Sequence, residues 1–289
     1  MKIKILIPVY NDFRSVSKLI RDINYTTSNI NEEFSIIIVN DASTEKAEID
    51  ISNLDKIKSI KVINIKNNQG HARCIATGLK YIYENEEFDY VIPMDGDGED
   101  RAEEITKFIE FLKYDNKKPV VGERIKRSEG IIFKISYGIH KLITFIFTGQ
   151  SIKFGNYTCL PKITIERMVN EKATWSSFSG SLAKLEKNRS TIPSIRGKRY
   201  YGPSKMSFFN LIKHSLSIIA VFKTNVIIRS ILFFLIYIFL ISENLSYVTS
   251  IPLIGVLALA ISVLAISKRE NIEELNDSLS NIENIEEIK

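Results

Sequence analysis

The sequence has few cysteines and lacks two common nucleotide-binding motifs. Its two cysteines, Cys74 and Cys159, show neither CxxC nor metal-ligand spacing, so we expect a reducing, cytosolic setting for the main domain. No G-x-G-x-x-G follows the first predicted strand and no G-x-x-x-x-G-K-[ST] occurs, which argues against dinucleotide oxidoreductases and P-loop NTPases. The three histidines, His71, His140 and His214, also lack metal spacing and are interpreted as structural or surface residues.

The start of the chain carries no predicted secretion signal, because residues 1–9 form only a strand-length apolar run before a turn. The net charge is +5, but the last twenty residues hold seven acids and one lysine, a net of −6 that leaves +11 elsewhere. A basic body of this kind favours nucleic acid or an anionic lipid surface as a partner. The apolar segments near the C-terminus favour the lipid surface, and we expect no nucleic-acid partner.

Two long apolar runs lie near the C-terminus. Residues 226–241 carry one charge, Arg229, and residues 248–266 carry none, so as helices they would reach about 24 and 28 Å. They predict two short transmembrane helices, with a buried core hairpin as the alternative. Lys223 and Arg229 precede the first run and Lys268 and Arg269 follow the second, which predicts that both ends are cytosolic.

Strand and helix patterns alternate through the first half of the chain. Apolar, β-branched runs at 2–9, 34–39, 60–65 and 90–94 predict strands, and helical periodicity marks the segment after the first run, 70–83 and about 102–112. This alternation predicts a doubly wound, mostly parallel α/β sheet, with polar residues at the carboxyl ends of its strands.

An acidic turn, Asp-Gly-Asp-Gly-Glu at 95–99, follows the fourth predicted strand. Carboxylates at Asp95, Asp97 and Glu99, separated by glycines, are hard oxygen ligands that can surround one divalent cation. A calcium EF-hand loop is excluded, because that motif requires Gly at its sixth position and Glu at its twelfth, where this chain has Asp100 and Thr106. A solvated acidic turn remains the alternative at this point.

Five motifs in order resemble the inverting family 2 glycosyltransferases of GT-A fold. They are IPVYND at 7–12, VNDAST at 39–44, NNQGHAR at 67–73, MDGDGED at 94–100 and GER at 122–124. A later RYYGPSK at 199–205, followed by two predicted membrane helices, is similar to the polyprenyl-phosphate branch, which includes dolichyl-phosphate mannose synthases and bacterial undecaprenyl-phosphate glycosyltransferases. The resemblance implies a Rossmann-like mixed sheet, followed by interfacial helices and two transmembrane helices.

The resemblance also implies a nucleotide-sugar site. It assigns binding of the base, ribose and sugar diphosphate to Pro8, Tyr10, Asp12, Val39, Asp41, Asp95, Gly96 and Arg124. Asp95 and Asp97 match the family's D-x-D, whose role is to bind Mg²⁺ or Mn²⁺ on the diphosphate, and Glu99 stands where such synthases often carry Gln. We therefore expect Asp95, Asp97 and Glu99 to be the metal ligands. For Tyr10 and Asp12, a helix cap with an aromatic ring packed over it is the structural alternative.

Cations are expected on the acceptor side, because a diphosphate sugar and a lipid phosphate bring negative charges together. The resemblance points to Arg199, Ser204 and Lys205, and these join Asp97 as the predicted catalytic residues. A basic loop that touches lipid head groups is the alternative. Arg124 and Arg127 are weaker candidates of the same kind, with surface charges as the alternative.

One departure from the branch concerns the acceptor. Synthases of this branch usually carry an Asp before a Ser-Gly-Phe stretch, in the region matching 151–159, but no carboxylate occurs at 130–165. A polyprenyl phosphate is already ionised and needs no general base, whereas a sugar hydroxyl would need one, such as Asp100. A processive polysaccharide synthase is disfavoured, since Trp175 is the only tryptophan and no Q-x-x-R-W is present.

The sequence predicts four regions along the chain. We expect a catalytic domain at 1–205, a juxtamembrane amphipathic helix at 206–223, a transmembrane hairpin at 224–267 and an acidic cytosolic tail at 268–289. Residues 131–147 and 206–222 fit interfacial helices, with core helices as the alternative. The tail is predicted to be solvated or frayed, or to form a self-association helix, so a homo-oligomer is possible.

These observations predict an inverting, metal-dependent glycosyltransferase in the cytoplasmic membrane. It would move a sugar from a nucleotide diphosphate sugar to a polyprenyl phosphate at the cytosolic face. One alternative is transfer to a hydroxyl of a lipid-linked saccharide, and another is a non-catalytic membrane scaffold that binds nucleotide.

Overall fold

Eight strands form a single sheet in the computed structural model, which describes residues 1–115, 117–126, 131–203 and 208–289. The strands are β1 (Lys2–Val9), β2 (Glu33–Asn40), β3 (Ile57–Ile65), β4 (Tyr90–Pro93), β5 (Val120–Lys126), β6 (Phe154–Pro161), β7 (Ser190–Ile195) and β8 (Ile282–Glu287). Their order across the sheet is β7-β5-β6-β4-β1-β2-β3-β8. The predicted strands are thus confirmed at the centre of the sheet.

Helices connect and cover these strands. They are α1 (Phe13–Thr26), α2 (His71–Asn85), α3 (Ile105–Leu112), α4 (Ile131–Thr148), α5 (Lys162–Val169), α6 (Phe178–Leu185), α7 (Phe208–Ala220), α8 (Lys223–Ile241), α9 (Tyr247–Ser267) and α10 (Ile272–Asn276). The predicted helix at about 102–112 begins as a 3₁₀ turn, Ala102–Glu104, before α3.

The four central strands of the sheet are parallel, and one antiparallel strand borders them on each side. β1 pairs in parallel with β2 and β4, and β2 with β3. β6 runs antiparallel to β4, and β8 runs antiparallel to β3. The carboxyl ends of the four parallel strands therefore meet at one edge, where an open α/β sheet binds its ligands. The prediction of a mixed, Rossmann-like sheet is confirmed.

Alternating side chains place a hydrophobic core on each face of the sheet. In β1, Ile3, Ile5 and Ile7 pack on one face with α1 and α3, while Leu6 packs on the other with α2. These side chains are at most 1% exposed. Both faces are covered, which explains why the central strands read as continuous apolar runs rather than as an alternating pattern.

Helices α8 and α9 are long and apolar enough to cross a membrane. They contain 19 and 21 residues, and most of their side chains face outward, since only Val226, Ser230 and Ile241 on α8 and Val263 and Ser267 on α9 are buried. A core hairpin of a soluble protein would bury most of this surface. The outward apolar surface therefore favours the membrane alternative.

The two segments predicted to lie on a membrane are helical. They form α4 and α7, and α4 exposes Ile139, Leu142, Phe145 and Ile146. Arg229 of α8 donates hydrogen bonds to the carbonyl oxygens of Phe145 and Ile146, at 3.2 and 2.6 Å, near the end of α4. These hydrogen bonds fix α4 to the apolar hairpin. The position of α4 and α7 at a membrane surface stays a prediction.

The C-terminal tail, residues 268–289, differs from its prediction. It is neither solvated along its length nor a self-association helix: α10 docks Leu275 against Trp175 and Ala76, and β8 pairs with the edge strand β3. The sequence suggested a helix because its isoleucines and leucines recur at heptad-like spacing. The backbone groups of β3 that would otherwise lie open at the sheet edge decide the outcome.

Candidate active site

The acidic turn after β4 is closed by its own carboxylates. The backbone N–H of Asp95 donates to the Asp100 carboxylate at 2.9 Å, and the N–H of Glu99 donates to Oδ1 of Asp97 at 2.9 Å. Gly98 has φ +87°, a backbone conformation that favours glycine. At Gly96, an added Cβ would lie 2.8 Å from a methyl group of Val16, so this glycine is required by packing against α1. The glycines therefore fix the turn, and Gly96 has no side chain to offer a ligand.

A basic segment, residues 196–201, lies directly over this turn. The N–H groups of Gly197 and Tyr200 donate to the carbonyl oxygens of Glu99 and Asp97, each at 2.8 Å. The Tyr200 ring covers Gly98, where an added Cβ would come within 2.5 Å of it. The Tyr200 hydroxyl donates to Asp22 of α1 at 2.6 Å. The turn and the basic segment thus form one unit, although about a hundred residues separate them in sequence.

Arg199 bridges two of the predicted site residues. Its guanidinium donates to Asp97 through one nitrogen and to Oδ2 of Asp12 through the other, the latter at 2.9 Å. The other oxygen of Asp12 accepts from the Ser15 hydroxyl at 2.6 Å. Asp12 is therefore engaged in holding Arg199 and the start of α1, so a direct contact with a nucleotide remains a prediction.

A second arginine of the basic segment, Arg196, forms an ion pair with Glu99. Sequence reasoning did not select Arg196, although it stands three residues before Arg199 in the same basic stretch. That spacing is the one signal that could have found it.

His71 and Asn156 surround Asp95, and neither was predicted to do so. Nε2 of His71 lies 3.2 Å from Oδ1 of Asp95, and Nδ2 of Asn156 lies 2.7 Å from the same imidazole nitrogen. His71 is the first residue of α2, directly after the motif at 67–70, whereas Asn156 lies on β6. The sequence interpretation of His71 as a structural or surface residue did not place it at this site, whereas the packing of α2 brings its side chain to the acidic turn.

The carboxylates of the turn perturb one another. Burial, and then the negative charge of Asp95, raise the pKa of Asp97 to about 6 and the pKa of Asp100 to about 7. Burial also opposes ionisation of Asp95, but the charge and hydrogen bond of His71, together with the charges of Arg196 and Arg124, outweigh it and lower the pKa of Asp95 below its ordinary value. The raised pKa values of Asp97 and Asp100 thus arise first from removal of these carboxyl groups from water and second from repulsion by Asp95.

The site residues at the ends of β1 and β2 divide into exposed and buried ones. Tyr10 is 44% exposed and open to a ligand, whereas Val39 is fully buried and pairs with buried Pro8 across the two strands. Strand alternation points the Val39 side chain into the core toward Leu6 and Gly78. Any contact of Pro8 or Val39 with a nucleotide would therefore use the backbone, and such a contact stays a prediction.

Asp41 supports the loop before α2. Its carboxylate accepts hydrogen bonds from the backbone N–H groups of Gln69, at 2.6 Å, and Gly70, at 2.9 Å, and the side chain is 4% exposed. Asn68 donates to the Asp41 carbonyl oxygen at 3.0 Å. The structure thus gives Asp41 a role in shaping the edge of the site, and its contact with a base stays a prediction.

The structure describes Arg124 but not all of the remaining predicted cations. Arg124 packs against Gly155 of β6, where an added Cβ would lie 2.5 Å from its guanidinium, and its charge acts on Asp95 and Asp100. Arg124 therefore lies near the acidic turn, and its contact with a nucleotide sugar stays a prediction. Ser204 and Lys205, and the weaker candidate Arg127, lie outside the described residues.

A metal ion would have to use fewer carboxylates of the turn than predicted. Among the described residues, no three His, Cys, Asp or Glu side chains converge on one point. Glu99 pairs with Arg196, Asp97 pairs with Arg199 and Asp95 contacts His71. Asp95 and Asp97 lie two residues apart in the turn, and their side chains are mostly buried. Asp95 and Asp97 therefore fit a divalent cation as hard oxygen donors. The expectation that Glu99 joins them is not supported by this arrangement.

Two glycines allow the fit of Tyr200 over the turn to be tested. Gly98 and Gly202 both have positive φ, but only at Gly98 would a Cβ meet the Tyr200 ring. Alanine costs about 1–2 kcal/mol at either position for the backbone conformation. We expect Gly98→Ala to lower the free energy of unfolding by about 1–3 kcal/mol more than Gly202→Ala, because of the added clash. Urea denaturation in detergent measures both, and equal losses would contradict the packing described here.

Sequence comparison relates the chain to one family. The model of glycosyl transferase family 2 matches residues 4–173. Among curated proteins, the undecaprenyl-phosphate 4-deoxy-4-formamido-L-arabinose transferase of Salmonella choleraesuis (strain SC-B67) is 28% identical over 221 residues. The match covers 73% of this chain and 64% of that relative, so the chain spans less than two-thirds of the length of the curated relative that it matches.

Solved structures share the architecture at low sequence identity. The mannosyltransferase PcManGT from Pyrobaculum calidifontis, in complex with GDP-Man and Mn²⁺, has a TM-score of 0.51 and 12% identity, over 96% of this chain and 74% of that one. Glucosyl-3-phosphoglycerate synthase from Mycobacterium tuberculosis, in complex with Mn²⁺, UDP-glucose and phosphoglyceric acid, has a TM-score of 0.54 and 12% identity, over 78% and 79% of the two chains. These likenesses concern the fold, which is the mixed α/β sheet of GT-A type.

Proposed function

Because this chain belongs to glycosyl transferase family 2, we propose that it transfers a sugar from a nucleotide diphosphate sugar to a polyprenyl phosphate. The chain is a glycosyltransferase with a GT-A-type sheet. The proposal adds a donor, an acceptor, inversion at the anomeric carbon and dependence on a divalent metal. The observation that carries it is the pairing of the acidic turn at 95–99 with the arginines at 196–199.

The donor side rests on where the parallel strands end. Tyr10 follows β1, Asp41 follows β2 and the acidic turn follows β4, so an exposed ring, a shaped loop and paired carboxylates lie along one edge. A nucleotide diphosphate sugar needs an aromatic surface for its base and a cation for its diphosphate. The neighbours bound to Mn²⁺ and GDP-Man, or to Mn²⁺ and UDP-glucose, support this donor class.

Asp95 and Asp97 are the residues that would hold Mg²⁺ or Mn²⁺. When bound there, the cation supplies positive charge to the diphosphate leaving group. Arg199 lies beside Asp97 and can donate two parallel hydrogen bonds to phosphate oxygens once a donor is present. The protein side chains thus orient the diphosphate and offset its charge as the sugar departs.

Transfer requires one bond to form and one to break. An oxygen of the lipid phosphate bonds to the anomeric carbon, the bond from that carbon to the diphosphate oxygen breaks, and the nucleoside diphosphate leaves with the electron pair. A single in-line displacement inverts the anomeric configuration. No proton has to be removed from an ionised phosphate, which agrees with the absence of Asp and Glu at 130–165.

The acceptor is proposed from the apolar helices together with the curated relatives. The relatives are named for transfer to undecaprenyl phosphate. Helices α8 and α9 expose the apolar surface that would place the site at a membrane, and α4 and α7 lie beside them. A polyprenyl chain would stay in the bilayer while its phosphate reaches the cations of the site.

The topology that we propose is a hairpin in the cytoplasmic membrane, with the catalytic domain cytosolic. The tail that follows α9 returns to the catalytic sheet through β8, so both ends of the hairpin lie on the same side. Lys223, Lys268 and Arg269 flank its ends. By the positive-inside rule this side is cytosolic. The boundaries 1–205, 206–223, 224–267 and 268–289 stay predictions.

A hydroxyl acceptor on a lipid-linked saccharide is less well supported. It would need a general base, and the acid suggested from the sequence, Asp100, is 6% exposed and closes the acidic turn by accepting the Asp95 N–H. Its carboxylate is therefore poorly placed to reach an acceptor.

The proposal is tested by incubating the purified full chain with a panel of nucleotide sugars, Mn²⁺ and undecaprenyl or dolichyl phosphate. Mass spectrometry of the lipid fraction should show the polyprenyl phosphate plus one sugar, and nuclear magnetic resonance should show an inverted anomeric centre. A retained configuration would contradict the single displacement. Metal-dependent binding of nucleotide without any transfer would support the scaffold alternative.

Replacing Arg199 tests the cationic half of the site. Arg199→Ala removes the guanidinium that bridges Asp12 and Asp97, so we expect kcat to fall about a hundredfold. The matched control is Lys198→Ala, one residue earlier and exposed, which should change kcat less than about twofold. Similar losses in the two variants would indicate a general effect of charge rather than the bridge made by Arg199.

A further inference from the structure

The C-terminal tail contacts the donor side of the site through Glu274 of α10. The carboxylate of Glu274 accepts from Nε1 of Trp175 at 2.6 Å and pairs with the Arg73 guanidinium at 2.9 Å. Arg73 also lies over the Trp175 ring, 4.9 Å from its centroid. Asn271 donates to the other Glu274 oxygen at 3.0 Å. One carboxylate from beyond the membrane hairpin therefore joins α2 to the only tryptophan of the chain.

Arg73 is unfavourably placed without that carboxylate. It stands in the first turn of α2, where the positive end of the helix dipole disfavours a cation. Its side chain is 23% exposed, and its charge, after burial, lowers the pKa of Arg269 nearby. Glu274 therefore offsets a positive charge at the first turn of α2.

The first turn of α2 and the loop before it shape the donor site. The backbone N–H groups of Gln69 and Gly70 hold Asp41, and His71 contacts Asp95. A shift of this turn would move both contacts together. The position of Arg73 therefore affects the loop proposed to face the base and the carboxylate proposed to face the diphosphate.

Strand β8 gives the tail a second connection to the same edge of the sheet. Asn64 of β3 donates to Asn284 of β8 at 2.6 Å and accepts from Asn40 of β2 at 2.8 Å. Oδ1 of Asn40 in turn accepts from the N–H of Ser43 at 3.0 Å. This chain of amides extends from the tail to the loop that carries Asp41.

We propose that Glu274 is a positioning residue for the donor site, which it serves by offsetting Arg73 and fixing the first turn of α2. The inference rests on the proposed function, because it assigns the site to a nucleotide diphosphate sugar. If Glu274 has this role, tight donor binding requires the tail to dock on the catalytic domain. Because the tail follows α9, it can dock there only when the membrane hairpin returns the chain to the catalytic domain.

The test compares two charge-removing variants of one helix in the full chain. Glu274→Gln keeps the size of the side chain and loses its charge, and Glu273→Gln does the same at an exposed neighbour whose side chain makes no contact described in the structure. We expect Glu274→Gln to raise the KM for the donor about tenfold, with kcat and the acceptor KM within about twofold. Glu273→Gln should match the wild type.

A rescue variant separates positioning from a general loss of structure. Arg73→Gln combined with Glu274→Gln removes both charges, so the donor KM should return to within about twofold of the wild type. Failure of this rescue, or an equal donor KM in Glu274→Gln and Glu273→Gln, would overturn the proposal.

Hydrogen–deuterium exchange without any donor keeps the inference separate from the proposed function. Exchange at residues 69–76 should rise in Glu274→Gln and not in Glu273→Gln, whatever the turnover. If the wild type shows no transfer but this pattern holds, the proposed function fails and the positioning of α2 stands. Equal exchange in the two variants would overturn the positioning as well.

Discussion

Asp97→Asn is expected to lower sugar transfer at least about a thousandfold while leaving the protein folded. Asparagine keeps an oxygen that can accept from the Glu99 N–H and from Arg199, so the turn should retain its shape. It removes the negative charge that would hold a divalent cation against the donor diphosphate. The readout is kcat with a saturating donor, together with the unfolding midpoint of the variant.

The control for this substitution is Asp55→Asn, the same change at an exposed carboxylate in the turn before β3. It should retain transfer within about twofold. Full activity of Asp97→Asn would remove Asp97 from the catalytic site. A large drop in its unfolding midpoint would instead indicate that the charge of Asp97 serves the fold.

Removing divalent metal is expected to have an effect of similar size. Arg199 and Arg196 pair with Asp97 and Glu99 across the turn, so the fold should persist after treatment with EDTA. Burial, and then the neighbouring charge of Asp95, raise the pKa of Asp97 to about 6, and a divalent cation held between the two carboxylates would favour their ionised forms. Transfer should fall about a thousandfold in EDTA and return when Mg²⁺ or Mn²⁺ is added in excess.

The matched control is EDTA already saturated with Mg²⁺, which should leave transfer unchanged. The unfolding midpoint of the metal-free protein should lie close to that of the untreated protein. Transfer that continues after exhaustive dialysis against EDTA would contradict a metal-dependent mechanism and would leave the charge of the diphosphate to cationic side chains such as Arg196 and Arg199.

The parts of the site that depend on local sequence could be predicted. The strands before Tyr10, Asp41 and Asp95 are apolar, β-branched runs that stop at polar turns, and such patterns are read within a few residues. Parallel strands then bring those turns to one edge, as found. The GT-A sheet and the family, both predicted from these local patterns, are confirmed.

The parts that depend on distant contacts could not be predicted. Asn156 reaches Asp95 only because β6 lies next to β4, and no local signal in the sequence sets that strand order. His71 and Arg196 are polar residues in polar stretches, so only the packing of α2 and of the segment at 196–201 makes them site residues.

The structure of the C-terminal tail also depends on distant contacts that its own sequence does not reveal. Its isoleucines and leucines recur at a spacing that resembles a heptad pattern, yet residues 282–287 form an edge strand. The open edge of β3 supplies hydrogen-bonding partners that the tail sequence does not reveal. Tertiary context therefore overrides the local pattern there.

The acceptor is the central claim, and the mass of the lipid product tests it most directly. The full chain, in detergent with Mn²⁺, undecaprenyl phosphate and the nucleotide sugar that it turns over, should yield undecaprenyl phosphate carrying one sugar on its phosphate, with one nucleoside diphosphate released per product. Release of nucleoside diphosphate with no such lipid product, together with sugar appearing on a hydroxyl of a lipid-linked saccharide, would contradict the account.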